Sequence, residues 1–301
     1  MLESHGDRGN APYLPFAGGG HRLTMGLMPL AEPDWLEIDT LLATHLAEKR
    51  ALLASRHDEV FAALPAAEAA SRELLALLAA HLPQHHPQIF ARDAAILTNR
   101  VTGEAWDMER PTLHPLDLCG RLVQEDFCLL RRDGEKHILI GAALCAPARW
   151  RLADKIGNPL AQIHAPVAGY DAALARPVDR LFDQMRPGRL VWRLNWGIVD
   201  HPARFQPVRP PADAPITAAR AGEKLWLRVE RQTLRKLAES EAVVFTIRTH
   251  VTRLDRAIAT RAAAADLASA IRALPQDMLR YKQIEPFVME VLTWLEAAPR
   301  A

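Results

Sequence analysis

Alternating hydrophobic and polar residues predict a sheet in the second half of the chain. In residues 190–198, Val191, Arg193 and Asn195 fall on one side of an extended strand, because successive side chains point to opposite faces. Four other segments have the β-branched, apolar composition that is typical of strands. The five predicted strands are residues 127–130, 137–145, 190–198, 224–231 and 241–251.

A helical excursion separates the second predicted strand from the third. Residues 160–182 pass through Pro166 and Gly169, which interrupt regular structure, before a helix predicted over 172–185. His164 is the only histidine in this excursion. We expect the excursion to fold across the face of the sheet and to direct His164 into a pocket there.

Helices are predicted on both sides of the sheet in sequence. Asp34 is the expected N-cap of a helix over 34–57, with Glu37 three residues later. Residues 1–33 are rich in Gly and Pro and predict an irregular arm, and residues 95–108 predict a hairpin. The remaining helical predictions are 66–82, 113–124, 151–157, a turn at 232–237, 254–273 and 284–297.

This order of elements predicts an α+β fold. Residues 1–112 form an N-terminal arm, helices and a small hairpin. Residues 113–253 form the core sheet with its excursion, and residues 254–301 form C-terminal helices that pack on the core. The sheet is therefore expected to be wrapped by helices from both ends of the chain.

Composition excludes several classes of protein. The 301 residues carry a formal net charge of +1, which gives no reason to expect a nucleic-acid partner. The three cysteines form no Cys-x-x-Cys pair, and an odd count without a secretory leader fits a reducing compartment. The longest apolar run, residues 138–148, is shorter than the roughly 20 residues of a membrane span. We therefore expect a cytoplasmic protein with no membrane association.

Common catalytic motifs are missing from the sequence. It contains no Gly-x-Ser-x-Gly nucleophile elbow, no Gly-x-Gly-x-x-Gly nucleotide fingerprint and no His-Glu-x-x-His zinc motif. An enzyme built on this chain therefore needs a pocket without a sequence signature, or a cofactor without one.

The order of strands and helices in the core is that of a PAS domain: two strands, short helices, a long helix and three antiparallel strands. Haem-binding members of this architecture provide an axial histidine from the helical side, which makes His164 the candidate iron ligand. Haem iron requires a neutral imidazole in an apolar site. Alternatively, His164 caps the chain or forms hydrogen bonds beside Pro166, and the histidines of the neighbouring strands, His137, His201 and His250, are the other candidates for the ligand. The apolar wall of the haem pocket expected around His164 consists of Val167, Leu174, Leu181 and Phe182.

Eight short stretches, taken in order, resemble the α subunit of haem-dependent oxidative N-demethylase. They run over most of the chain and include Ile-His-Ala-Pro-Val around His164 and Arg-Leu-Asn-Trp in the third strand. The stretches are residues 25–30, 35–39, 124–130, 150–157, 163–167, 193–196, 228–234 and 245–249.

This resemblance implies a PAS-like haem domain that oxidises a small, dimethylamine-like secondary amine with dioxygen. Hydroxylation of the methyl carbon gives a carbinolamine, which releases formaldehyde. The resemblance also implies haem b as the cofactor, His164 as its ligand, and electrons from a separate flavin and iron–sulfur reductase subunit.

Five polar residues on apolar strands form the expected distal site. Such groups are costly to bury unless they are paired or face a ligand. In one interpretation the arginines bind haem propionates, while Glu230 or Asn195 orients an ammonium substrate or dioxygen. In the other, Arg228, Glu230 and Arg248 form cross-strand ion pairs on a solvated face. The five residues are Arg193, Asn195, Arg228, Glu230 and Arg248.

Two functions follow from the sequence. The first is a haem-dependent monooxygenase that demethylates a small amine. The second is a non-catalytic haem or small-ligand binding module, since most PAS domains are sensors. Sensors are usually fused to output domains, and the absence of such a segment in this sequence favours the enzyme with a partner chain.

Overall fold

A computed structural model describes residues 13–20, 24–167, 169–170, 174–211 and 215–297. The fold is α+β, as predicted, with a seven-stranded antiparallel sheet and a separate three-stranded sheet. The strands are β1 Met28–Leu30, β2 Phe61–Ala63, β3 Phe90–Asp93, β4 Ile96–Asn99, β5 Ala105–Asp107, β6 Asp126–Asp133, β7 Lys136–Ala143, β8 Leu190–Val199, β9 Trp226–Lys236 and β10 Val243–Arg253.

The helices lie before the sheet strands, within the excursion and after the last strand. They are α1 Leu42–Ser55, α2 His57–Val60, α3 Glu68–His85, α4 Pro115–Leu122, α5 Leu160–His164, α6 Ala175–Gln184, α7 Ala221–Lys224, α8 Leu254–Ala257, α9 Arg261–Arg272, α10 Gln276–Tyr281 and α11 Val288–Ala297. No helix of the described ranges has the length and apolar content needed to cross a bilayer.

The five strands predicted from the sequence all form and lie side by side. The large sheet has the order β1-β8-β9-β10-β6-β7-β2, so the five occupy its centre and β1 and β2 extend its edges. The predicted five-stranded sheet is therefore a seven-stranded one. β1 lies within residues 1–33, which were expected to be irregular, and it pairs with residues 190–192 of β8.

Four helical predictions differ from the structure. Asp34 is not the N-cap of a long helix: a 3-10 turn spans Glu32–Asp34, and α1 begins at Leu42. The second helix was expected to stop at Pro83 but continues to His85. Residues 232–237 were expected to be a helical turn, whereas β9 continues to Lys236 because β10 pairs with it along its whole length. The predicted helix over 254–273 is divided into α8 and α9.

Several local predictions are confirmed. The helix predicted over 113–124 forms as α4, and His114 caps it, because its Nδ1 accepts a hydrogen bond from the amide of Leu116 at 3.2 Å. The predicted hairpin over 95–108 contains β4 and β5, which pair antiparallel. The excursion holds α5 and α6, although the first two residues of the predicted helix, 172 and 173, lie outside the described ranges.

The two faces of the large sheet pack against different parts of the chain. One face carries Val229 and Val244 and packs on the N- and C-terminal helices, so we call it the terminal face. The other carries Leu234 and Ile247 and packs on α5 and α6, so we call it the excursion face. The molecule thus has three layers: terminal helices, sheet and excursion.

Candidate functional site

The strand register brings four of the predicted site residues to the excursion face. Asn195 of β8 lies opposite Glu230 of β9, and Gly197 lies opposite Arg228. Because side chains alternate along a strand, Arg193 and Asn195 point to the same face as Arg228 and Glu230. The sequence predicted each pair separately, and the register joins the two pairs into one cluster.

Glu230 is the centre of the hydrogen bonds in this cluster. Its Oε1 accepts from Arg228 Nε at 3.3 Å. Its Oε2 accepts from Asn195 Nδ2 at 3.3 Å and from Gln232 Nε2 at 3.0 Å. The Arg228–Glu230 ion pair considered from the sequence is therefore present, but both residues are buried, so the face is not solvated there.

Arg228 is held by acceptors at every one of its side-chain nitrogens. Besides the bond to Glu230, its Nη1 donates to the carbonyl oxygen of Arg204 at 3.0 Å and its Nη2 to that of Ala146 at 2.5 Å. Burial lowers the pKa of Arg228, while the charge of Glu230 opposes that shift. Arg228 therefore ties β9 to two loops and has little capacity left for an external anion.

Arg193 differs from Arg228 in its hydrogen bonding. Within the described ranges its guanidinium makes no hydrogen bond or ion pair, and its Nε is buried. Burial lowers the pKa of Arg193, and the negative charge of Glu230 offsets only part of this effect. A half-buried cation without a partner is unfavourable, so Arg193 is the residue of this cluster best placed to bind an anion.

His164 ends α5 on the same side of the sheet. Its Nδ1 lies 2.9 Å from the carbonyl oxygen of Leu160, which can only accept, so Nδ1 carries the proton and Nε2 carries the lone pair of the neutral ring. The ring stacks on Tyr170 with centroids 4.7 Å apart. Burial lowers the pKa of His164, and the charges of Lys155 and Arg193 lower it further. A neutral imidazole with a fixed tautomer is the form that binds a metal.

Arg248 lies on the terminal face, away from the other four residues. It is completely buried, and its Nη2 donates to Asp39 Oδ2 at 2.6 Å. Burial raises the pKa of the Asp39 carboxyl, but the Arg248 charge and the hydrogen bonds from Gln124 and the Leu41 amide together outweigh it, and the net shift is downward. The structure therefore does not bring Arg248 together with Arg193, and it gives Arg248 a carboxylate partner that the sequence did not indicate.

Lys282 is a member of the cluster that sequence reasoning missed. It follows α10, and its Nζ donates to the carbonyl oxygen of Trp196 at 2.5 Å and to Asn195 Oδ1 at 3.5 Å. Since β1 covers only residues 190–192 of β8, Lys282 binds at the part of this edge that β1 leaves uncovered. The pKa of Lys282 is lowered to about 8, because the effects of burial and the Arg193 charge exceed the opposing effect of Glu230. No pattern in residues 276–297 indicates this role.

Room for a ligand exists above β8 on the excursion face. A Cβ built on Gly197 would meet no atom within 4 Å. Residues 191–197 of β8 are all partly exposed, although the strand lies inside the sheet order. The open space begins beside Asn195 and Arg228, so a planar ligand on this face would lie next to the polar cluster.

A separate cleft of about 360 Å³ lies on the other side of Arg228. Ala146 and Arg204, which accept the Arg228 hydrogen bonds, form part of its wall. His164 does not line this cleft, so it is distinct from the pocket expected around that residue. The polar residues that line it are Glu48, Lys49, Gln124, Asp126, Arg204 and Thr249.

The chain matches a family of known proteins. A family model described as "Haem-dependent oxidative N-demethylase, alpha subunit-like" matches residues 26–292, which is most of the chain. The match includes the excursion, the five central strands and the segment that contains Lys282.

Proposed function

Since the chain belongs to the haem-dependent oxidative N-demethylase alpha subunit-like family, we propose that it is a haem-dependent monooxygenase. The substrate in this proposal is a small, dimethylamine-like secondary amine, which loses a methyl group as formaldehyde. Electrons come from a separate flavin and iron–sulfur reductase subunit. The family description supports the haem, the oxidative demethylation and the multi-subunit organisation.

The observation that carries this proposal is that His164 and the unpaired Arg193 lie on the same side of the sheet. The fixed tautomer of His164 leaves Nε2 to hold the iron of haem b. The unpaired guanidinium of Arg193 supplies a donor for a propionate. The open space above Gly197, four residues along β8 from Arg193, leaves room for a planar group on the same face. The residues present therefore fit a haem on the excursion face.

A PAS-like arrangement is part of the same proposal. The five central strands follow the sheet order β8-β9-β10-β6-β7, and the excursion joins β7 to β8 across one face. This order supports a ligand held between the sheet and the excursion helices, as in haem-binding PAS domains.

The cluster residues have distinct tasks in the proposed reaction. When bound, haem supplies the activation of dioxygen that oxidises the methyl carbon. Glu230 keeps Asn195 and Arg228 in place through its hydrogen bonds. Asn195 then presents a fixed side-chain amide to the open space, where it orients the amine. Arg228 and Arg248 maintain the sheet, and Arg193 takes the propionate.

The first test is an absorption spectrum of the protein purified from haem-supplied cells, oxidised and then reduced. We expect a Soret band corresponding to about one haem per chain. His164→Ala is expected to change that spectrum, whereas His201→Ala, on a loop after β8, is the matched control and leaves it unchanged. A His164→Ala protein with an unaltered spectrum and full haem content would exclude His164 as the ligand.

The second test addresses catalysis. Protein loaded with haem is supplied with a reductant, dioxygen and dimethylamine, and formaldehyde is measured. Formaldehyde formation that depends on His164 supports the monooxygenase.

One observation favours the alternative of a non-catalytic haem or small-ligand module. The Glu230 carboxylate accepts hydrogen bonds from Asn195, Arg228 and Gln232, so it is not free to act as a base. Haem binding without formaldehyde from any small methylamine, under the conditions of the second test, is the result that this alternative predicts.

A further inference from the structure

The charged side chains described around Asn195 include more cations than carboxylates. Glu230 is the carboxylate of the excursion-face cluster, and its ion-pair partner is Arg228. Arg193 and Lys282 have no carboxylate partner within the described ranges. Two cations in excess, close to one saturated carboxylate, indicate a site that is completed by an anion.

The two unpaired cations lie on either side of Asn195. Arg193 precedes it by two residues on the same face of β8, a separation of roughly 7 Å along a strand. Lys282 reaches the Asn195 side-chain oxygen from the uncovered edge of the strand. The charge of Arg193 lowers the pKa of Lys282, so the two cations lie close enough to act on each other. An anion beside Asn195 would therefore be attracted by both.

The backbone next to Lys282 is held in an unfavourable conformation. Gln283 has φ 54°, in the left-handed region, and its Oε1 accepts a hydrogen bond from Arg149 Nη1 at 2.9 Å. Arg149 has φ 62° and is anchored by Asp200 at 2.7 Å. Two strained residues bonded to each other beside a functional cluster indicate that the position of Lys282 is maintained at an energetic cost.

We propose that Arg193 and Lys282 together form a carboxylate-binding site on the excursion face. Arg193 offers planar N–H donors and Lys282 a point charge. Asn195 stands between them and holds the Lys282 ammonium in place. The carboxylate comes either from a haem propionate or from a free small acid, and its identification with a propionate rests on the proposed function.

The test measures binding, not turnover. Haemin is titrated into the full-length apo protein and followed by the Soret band, and succinate is titrated separately by calorimetry. Lys282→Met removes the charge at similar length, Lys282→Arg restores it, and Arg193→Met removes the other cation. Lys136→Met, at an exposed position of β7, is the matched control. Thermal melting confirms that each variant is folded.

We expect Lys282→Met and Arg193→Met each to weaken binding of the carboxylate by about tenfold or more, as for a lost hydrogen bond to a charged group. Lys282→Arg retains most of the affinity, and Lys136→Met behaves as the unaltered protein. The double variant loses less than the product of the two single effects, because both cations act on one carboxylate.

The outcomes separate this inference from the proposed function. Haemin binding that weakens in both variants supports both. Succinate binding that depends on Lys282 in a protein that takes up no haemin supports the carboxylate site and contradicts the haem proposal. Binding of haemin and succinate that is unaffected by Lys282→Met and Arg193→Met overturns the inference and leaves the haem proposal intact. A protein that binds neither ligand contradicts both.

Discussion

Asn195 and Glu230 lie directly opposite each other on β8 and β9, and the Asn195 amide donates to the Glu230 carboxylate at 3.3 Å. The same carboxylate accepts from Arg228 and Gln232. Glu230 therefore organises the excursion face by fixing the side chains around it. Asn195 is the member of the pair that also contacts Lys282 and borders the open space.

Replacing Glu230 by Gln is expected to destabilise the protein by about 3–5 kcal/mol, because it leaves the buried Arg228 without its counter-charge. The amide retains the size of the side chain, so the loss reports the charge and not a cavity. Chemical denaturation measures the change in the free energy of unfolding. Glu241→Gln, an exposed glutamate before β10, is the control and is expected to change stability by less than about 0.5 kcal/mol. A Glu230→Gln protein as stable as this control would contradict the role given to the Arg228–Glu230 pair.

Arg193→Met is expected to leave the stability of the apo protein unchanged or to raise it by about 1 kcal/mol. The guanidinium has no partner to lose, and its partial burial is unfavourable in the folded state. The measurement is denaturation of the haem-free protein. A loss of more than about 2 kcal/mol would show that Arg193 has a structural partner and is not reserved for a ligand.

Arg248→Met, unlike Arg193→Met, is expected to destabilise the protein without changing its affinity for haemin. Arg248 is buried against Asp39 on the terminal face, so its removal leaves that carboxylate unpaired and costs about 3–5 kcal/mol of stability. Haemin affinity, measured at a temperature where the variant is still folded, is expected to equal that of the unaltered protein. An Arg248→Met protein that folds normally but loses haem affinity would restore the role first predicted for Arg248 from the sequence.

The central strands could be predicted from the sequence because their apolar and β-branched residues are dense and alternate regularly. The same alternation correctly placed Arg193 and Asn195 on one face. It could not place them relative to Arg228 and Glu230, because the register between two strands depends on their pairing. For the same reason the sequence could not show that Arg248 points to the opposite face.

The wrong predictions of secondary structure occur where tertiary contacts, and not local sequence, determine the conformation. Residues 232–236 have little β propensity of their own and become strand because β10 pairs with them. β1 is three residues long and forms only at the edge of β8, so no local pattern marks it. Lys282 reaches the cluster from 87 positions beyond Asn195 through packing of the C-terminal helices. A lysine between two helices is ordinarily a surface residue, and only the fold assigns it to a site.

Substitutions at Gln283 test whether the left-handed backbone beside Lys282 is strained. Gln283→Ala and Gln283→Gly both lose the hydrogen bond to Arg149, but glycine has no Cβ to oppose a φ of 54°. The glycine variant is therefore expected to be more stable than the alanine variant by about 1–2 kcal/mol, measured by denaturation. At an ordinary surface position of a helix, such as Ala262 in α9, the same comparison favours alanine by about 1 kcal/mol. If the alanine variant at position 283 is the more stable of the two, the backbone beside Lys282 is not strained.

The affinity for a carboxylate is expected to fall as the pH rises through about 8. Burial lowers the pKa of Lys282 to about this value, and Arg193 on β8 and Glu230 on β9 face its amine with opposite effects. The protonated form binds the anion, so affinity is highest below this pH and decreases above it, where the free protein has lost the proton. The nearby Tyr281 does not account for a fall near pH 8, because desolvation and the charge of Glu230 raise its pKa from its ordinary value.

Calorimetric titration of succinate from about pH 6 to about pH 10 measures the dependence. In Lys282→Met the affinity is lower throughout and the fall near pH 8 is absent. In Lys282→Arg the fall is also absent but the affinity stays high, because arginine keeps its charge over this range. A fall of equal size in Lys282→Met would assign the titration to another group and separate Lys282 from the carboxylate site.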